Sequence, residues 1–571
     1  MKFFLAISIL GALLIFLGCG IQSEDQKFEQ LANNYVEKML EMNPEFATDQ
    51  GDHRFDNLWN DYSLKGIQEG LQVDKTYLDS LNAINSGKLS ETNRIDYQIL
   101  KHQFKYNIFS TDTLREYEWN PRIYNFGGGI YALIARDFAP LKDRLQNVKE
   151  RLKGIGAIIE AAKTNLKNPP KIHTETAILQ NKGNISLVTV DLDKFLAEVP
   201  ELKDEFKPIQ KNTVAEIEAY GKWLEKDLLP RSTGDFRIGD EKFRKKLAYA
   251  LDSDITKEEL LQSAEEDLKK TQNALYETAL PLFRKYFPNI DDAGKKEVIK
   301  GVLDKLAEDH PTNETIIDLA KKTTETTTQF VREHNLVSVP DEPIKIIVMP
   351  EFMRGVAVAY CMPPGPLESN KETFYVISPT PKDWTSKRVE SFFREYNNYM
   401  LEDLTIHEAM PGHYLQLAHS NQFKAPTMIR AIFWSGPFVE GWATYAEQLM
   451  AEEGYGGPEV KMQQLKMRLR LLINAIIDQK IHTEGMTEQE AMDMMMNEGF
   501  QEEGEAAGKW RRACLSSTQL STYYIGNMEM NDIRNRYTKK MGGQIDLKKL
   551  HDTMLSFGSP AVKYVKQLMG L

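Results

Sequence analysis

Along most of this 571-residue chain, apolar positions recur every three to four residues in runs separated by Pro, Gly and Asn. Such a period puts the apolar side chains on one face of a helix, so amphipathic helices are predicted over 27–42, 64–85, 91–108, 141–167, 174–195 and 204–229. After the loop Pro230-Arg231-Ser232-Thr233-Gly234-Asp235 the same rhythm continues to about residue 331. No repeat of fixed length is present. One segment breaks the rule: 344–348, 356–361 and 373–377 are short, rich in Val, Ile, Phe and Tyr, and bounded by turn residues, which predicts a small sheet. The run Phe126-Gly127-Gly128-Gly129-Ile130 is followed by no Gly-Lys-Ser/Thr, so a flexible turn is predicted there rather than a phosphate cradle. The predicted fold class is mostly α with a small β-sheet.

The N-terminus carries a different pattern. Lys2 precedes an almost unbroken apolar run over 3–17, which ends in Gly18-Cys19-Gly20 and the polar residues Gln22, Ser23, Glu24 and Asp25. The run is short for a membrane span and lacks a basic stop, so 1–18 reads as a signal peptide. Gly18 before Cys19 resembles the lipobox of bacterial lipoproteins, although Phe16 and Leu17 depart from its common Leu-Ala pair. That resemblance implies a lipid on Cys19, a linker over 19–26 and a tether to the bacterial cell envelope, on the periplasmic or the outer-membrane face. A secreted protein and an uncleaved anchor are the alternatives.

Composition narrows the classes further. With 83 acidic against 71 basic residues the net charge is −12, and no basic cluster is interleaved with aromatics, which excludes a nucleic-acid partner. Beyond Cys19 only Cys361 and Cys514 remain, and two buried free thiols are expected rather than a disulfide. A 42% hydrophobic fraction supports a large core. Length alone permits three or four domains, but the pattern suggests fewer: a helical region over 27–335 and a catalytic region over 336–571, with a sheet at 344–378 and metal-binding helices at 400–450. Oligomeric state is left open.

The candidate chemistry lies in His407-Glu408-Ala409-Met410-Pro411-Gly412-His413. In the pattern H-E-x-x-H the histidines at i and i+4 sit about 40° apart around a helix, so both rings reach one metal ion. Here they sit at i and i+6, about 120° apart on a regular helix, which is too far round for one ion. Pro411 removes a helical hydrogen bond and collides with the preceding turn, while Gly412 tolerates nearly any conformation. A break is therefore predicted at Met410 to Gly412 that returns His413 to the side of His407.

A hydrolytic zinc site takes three protein ligands and keeps a fourth position for water. His407 and His413 supply two. Glu440 is the best third, on a helix opened by Pro437 and closed by Gly454-Tyr455-Gly456-Gly457; Glu447, seven residues on and on the same face, is the alternative, or else orients a histidine. Glu408 stands where a general base is needed to take a proton from water and hand it to the leaving amine. His419 reads as a helix-surface histidine.

The stretches 406–416 and 433–443 resemble a widespread bacterial family of lipoprotein-like proteins, known as a domain of unknown function, marked by H-E-A-x-P-G-H and grouped by similarity with the gluzincin metallopeptidases. The likeness includes Asn43-Pro44-Glu45-Phe46-Ala47-Thr48, Gly234-Asp235-Phe236-Arg237-Ile238-Gly239 and Phe557-Gly558-Ser559-Pro560. The segment from Glu440 to Glu447 is also similar to E-G-F-A-x-Y-x-E of aminopeptidases in that group, which implies Glu440 as the zinc ligand. The resemblance further implies Asp478 and His482, from an Asp-x-x-x-His pair, and Tyr523, in Gln519-Leu520-Ser521-Thr522-Tyr523-Tyr524-Ile525-Gly526, as site residues, with His482 and Tyr523 donating to the oxyanion. Two departures are Ser517-Thr518, where relatives commonly have Pro-Gly, and Asn474, where they have arginine. Arg511 or Arg512 would supply a positive charge for a peptide terminus.

The expectation is a multi-helical, gluzincin-like zinc peptidase with a substrate channel, acting on short peptides. A catalytically inactive peptide-binding lipoprotein and a metal-dependent amidase acting on cell-wall peptides are the alternatives.

Overall fold

Ser23 opens the first helix, Glu24–Met42: its hydroxyl accepts from Gln26 N–H while the Gln26 side chain returns to Ser23 N–H, a reciprocal cap that starts the helix earlier than periodicity alone suggested. The computed structural model describes residues 22–290, 292–349, 358–381 and 384–571. The signal peptide and Cys19 lie outside the described residues, as do Val356 and Ala357 at the start of the second predicted strand. Helices Leu64–Asn82, Glu91–Phe109, Leu141–Asn165, Lys171–Ser186 and Lys203–Trp223 follow the predicted ones closely. The last two continue into single wider turns, Leu187–Asp191 and Leu224–Leu228.

The glycine run is a correction. Gly127–Ala135 is a helix, not a flexible turn. A side chain on Gly129 would collide with the Trp59 ring, and one on Gly127 with Asn184 Oδ1, so the glycines serve close packing of a helix rather than freedom of a loop.

The three strands form where they were predicted: β1 (Ile344–Val348), β2 (Ala359–Met362) and β3 (Thr373–Ile377). They are ordered β1-β3-β2, with β1 parallel and β2 antiparallel to the central β3. Every residue of β3 is buried, as its unbroken apolar sequence requires. The Tyr375 hydroxyl pairs with Thr405 Oγ1 at 3.0 Å and seats the sheet against the helix that carries His407.

The hydrophobic clusters cross residue 335. Phe28, Tyr35, Leu100 and Phe104 from the first helices share one cluster with Ile429, Ile432, Ala561 and Tyr564. Helices of 243–306 share another with Leu469, Ile476 and Ile525. Among the described residues no helix is long and apolar enough to cross a membrane.

Candidate metal centre

The helix Asn398–Glu408 ends where proline and glycine predict, and a second helix, His413–Gln422, begins at the second histidine. Ala409 and Met410 both donate their N–H to Thr405 O, the Met410–Pro411 peptide is cis, and Gly412 carries the chain back against the end of the first helix. A Cβ at 412 would fall inside the contact radius of the His407 and Ile406 carbonyl oxygens, so the close approach needs glycine. Trp442 Nε1 donates to Pro411 O at 2.8 Å and fixes the break to the neighbouring helix. The result is that His407 and His413 face each other, ring centroids 4.7 Å apart and nearly perpendicular.

Glu440 comes from the helix Gly436–Glu452, opened by the Ser435 cap and Pro437. Its Oε2 lies 3.6 Å from His407 Nε2 and 3.4 Å from His413 Nε2. All three donor atoms lie within 4.8 Å of one another. Tetrahedral zinc with bonds near 2.0–2.2 Å needs ligand separations of about 3.3 Å, and the two carboxylate–imidazole separations come within a few tenths of an ångström of it. Two polar atoms of the set, Glu440 Oε2 and His413 Nδ1, are buried with no hydrogen-bond partner. For Glu440 burial would raise the carboxyl pKa, but the two imidazoles outweigh it and hold the carboxylate well below the usual range. For His407 burial would lower the pKa, but Glu440 and Glu447 outweigh it and raise it well above the usual imidazole value.

Glu447 is fully buried, and its Oε1 pairs with His407 Nδ1 at 2.6 Å. It therefore stands behind the ring and directs Nε2 toward Glu440, so that Glu440 rather than Glu447 joins the two histidines in the set that could hold a metal ion. Glu408 has one oxygen held by Cys361 N–H of β2 at 2.9 Å and faces a cavity of about 660 Å³ together with His407 and Tyr523. Tyr523 accepts from Arg512 Nη2 at 2.9 Å and Gln519 Nε2 at 3.3 Å. Burial, reinforced by the Glu440 charge, pushes its phenol pKa up, so its own proton is retained for donation.

Residues 44–569 match the family described as a bacterial protein of unknown function, DUF885. The chain belongs to this family. A solved protein from Shewanella oneidensis, described as "a putative lipoprotein of unknown function", is 34% identical over 95% of this chain and all of its own, with a TM-score of 0.80. A second, "the putative lipoprotein from Colwellia psychrerythraea", shares the fold at 17% identity, covering 96% of this chain and 99% of its own, with a TM-score of 0.79. No curated protein matches the chain.

In this DUF885 protein two expectations fail. His482 does not reach the oxyanion position: its Nε2 is engaged by Ala513 O at 3.0 Å and Ser516 O at 2.8 Å, and its ring stacks on Phe243. Asp478 serves the same loop, accepting from Thr518 N, Ser521 N and Ser521 Oγ. The pair therefore pins the connection between Arg512 and Tyr523 from behind. Cys361 is only partly buried, while Cys514 is buried, and both are free. His419 Nε2 donates to Ser338 O and stays clear of the site, as expected.

The sequence reading of this DUF885 site missed Trp442, the Cys361 backbone and the close crossing of two helices at Gly441 and Gly526. A Cβ on either glycine would strike the other's backbone. That contact brings Glu440 and Tyr523 to one site, and its signal was already present as the glycine that follows each of them, one residue after Glu440 and three after Tyr523.

Proposed function

We propose that the chain is a zinc-dependent peptidase acting on short peptides at the bacterial cell envelope, tethered by lipid on Cys19. The observation that carries the reading is the convergence of His407, His413 and Glu440 beside Glu408, with a buried Glu440 oxygen left without a hydrogen bond. Zinc held there would polarise a water molecule and the carbonyl of an amide. Glu408, steadied through Cys361 N–H, takes the proton of the water and passes it to the leaving amine. Tyr523 donates its phenolic proton as a hydrogen bond to the oxyanion. Because Cys361 turns its N–H away from β3, Ala359 two residues earlier presents its own peptide groups on that same side, and it lines the cavity. An extended peptide pairs along this edge of β2, which no strand among the described residues occupies. The size of the cavity favours short peptides over folded proteins. The descriptions of the two solved relatives as lipoproteins support the envelope tether.

Metal analysis and peptide turnover by the purified mature chain test the reading. One zinc per chain is expected, lost in His413→Ala, and Glu408→Gln is expected to keep the zinc while losing about 10²- to 10⁴-fold in turnover. A chain that binds no zinc, or one that turns over peptides as fast after Glu408→Gln, overturns it.

A further inference from the structure

One wall of the cavity is built by the helix Glu503–Leu515, on which Glu505, Gly508, Lys509 and Arg512 fall at i, i+3, i+4 and i+7 and so share a face. Gly508 leaves open space there, since nothing lies within 4 Å of the position a Cβ would take. The charges on this wall are unbalanced. Glu395 is spent on Lys466, at 2.9 Å, and on Arg470, and it also accepts from Glu502 N–H. Glu505 accepts from Tyr396 Oη at 2.9 Å and is shared between Arg470 at 3.8 Å and Lys509 at 3.9 Å. Among the described residues Arg512 has no carboxylate within ion-pair distance; one Nη2 serves Gln519 and Tyr523. Arg470, itself buried, leaves its Nε without a partner.

We infer that Lys509 and Arg512 form a carboxylate subsite, so that the peptides this cavity takes are those that end in a free α-carboxylate. The inference rests on the peptidase reading and names the end of the chain that is attacked. An amino-terminal ammonium would need a spare acid beside Arg512 and Tyr523, whereas buried Glu395 and partly buried Glu505 are already matched by cations and Glu503, the remaining acid of this wall, is exposed on the first turn of the helix, two turns or more from Arg512. A carboxylate, by contrast, supplies what Lys509 lacks: burial pushes its ammonium pKa down to about 7, only partly opposed by Glu505, and Arg512 adds to the depression. Arg512 touches Tyr523, one side of the reacting position, and Lys509 sits one helical turn further along the wall. A terminal residue whose carboxylate reaches Lys509 therefore leaves its amide beside Tyr523.

The test is binding to the zinc-loaded, full mature Glu408→Gln chain, using short peptides that differ only in a C-terminal carboxylate or amide, each with a free or acetylated N-terminus. The acid is expected to bind at least tenfold tighter than the amide, with acetylation of the amino end changing affinity less than twofold. Lys509→Met is expected to bring acid and amide within twofold of each other without weakening the amide, and Lys509→Arg to restore the preference. Equal binding of acid and amide to the parent chain, or a larger loss on acetylation than on amidation, overturns the subsite. Because the binding measurement needs no turnover, it stands apart from the peptidase reading: a chain that hydrolyses amide-capped peptides as fast as free acids keeps that reading and removes the subsite.

Discussion

Two clusters in this protein use the same side chains to opposite ends. At His53 the imidazole is clasped on both nitrogens, by Asp56 at 3.0 Å and Glu368 at 3.1 Å, while its ring stacks on Phe138 at 3.6 Å. Every polar atom of that ring is answered within the protein. At His407 and His413 the carboxylate of Glu440 lies at 3.4–3.6 Å from both rings, with its Oε2 and His413 Nδ1 unanswered. The first cluster joins the N-terminal helices to the loop after β2 and is complete as folded. The second is drawn together by a helix break and leaves two buried polar atoms without a hydrogen-bond partner. Residue type distinguishes them poorly; what each leaves unsatisfied distinguishes them well.

Substitutions should separate the two. Gly412→Ala is expected to have the largest effect, because its Cβ meets backbone carbonyls that have no room to move: zinc binding should be abolished while secondary structure persists, as read by metal content and circular dichroism. An alanine variant that binds zinc normally would show that the break is looser than the close approach requires. Glu447→Ala removes the carboxylate that directs His407, and zinc affinity should fall about 10- to 100-fold in competition with a chelator. An unchanged affinity would reduce Glu447 to packing.

At His53 the consequence should be stability alone. Burial by itself would lower its pKa, but the Asp56 and Glu368 hydrogen bonds outweigh this and raise it to about 9. The folded value lies above the unfolded one, about 6.5, so the contribution is full below that pH and is lost as pH rises through 9. His53→Ala is expected to cost about 1–3 kcal/mol more in chemical denaturation at pH 6 than above pH 10, where only the ring's packing is lost, with zinc content unchanged. Zinc loss in this variant would erase the distinction between the clusters. The smallest effect is a gain. Thr518 has a left-handed backbone (φ 69°), costly for a β-branched residue and sustained by Asp478. Thr518→Gly should raise stability by up to about 1 kcal/mol in the same denaturation measurement; a loss would show that the Thr518 hydroxyl matters more than the strain.

The break at Met410 to Gly412 was legible in the sequence because proline and glycine act through local sterics. The helices and strands were legible because period is a local property too. His482 was misjudged for the complementary reason: a spacing of four says that Asp478 and His482 share one side of a helix, but not what that side meets, and here it meets the loop after Ala513. Gly127 and Gly129 were misread because open conformation and close packing ask for the same residue. Lys509 carried no signal, since its character comes from the acids that the fold assigns to other cations.

The cluster shared by Phe28, Leu100, Ile429 and Tyr564 bears on how the molecule is made. A polypeptide emerges from its N-terminus, yet part of the apolar face of its first hundred or so residues is covered by Ala561 and Tyr564, close to the other end. The order of synthesis thus leaves that part of the leading helices uncovered until nearly the end of translation.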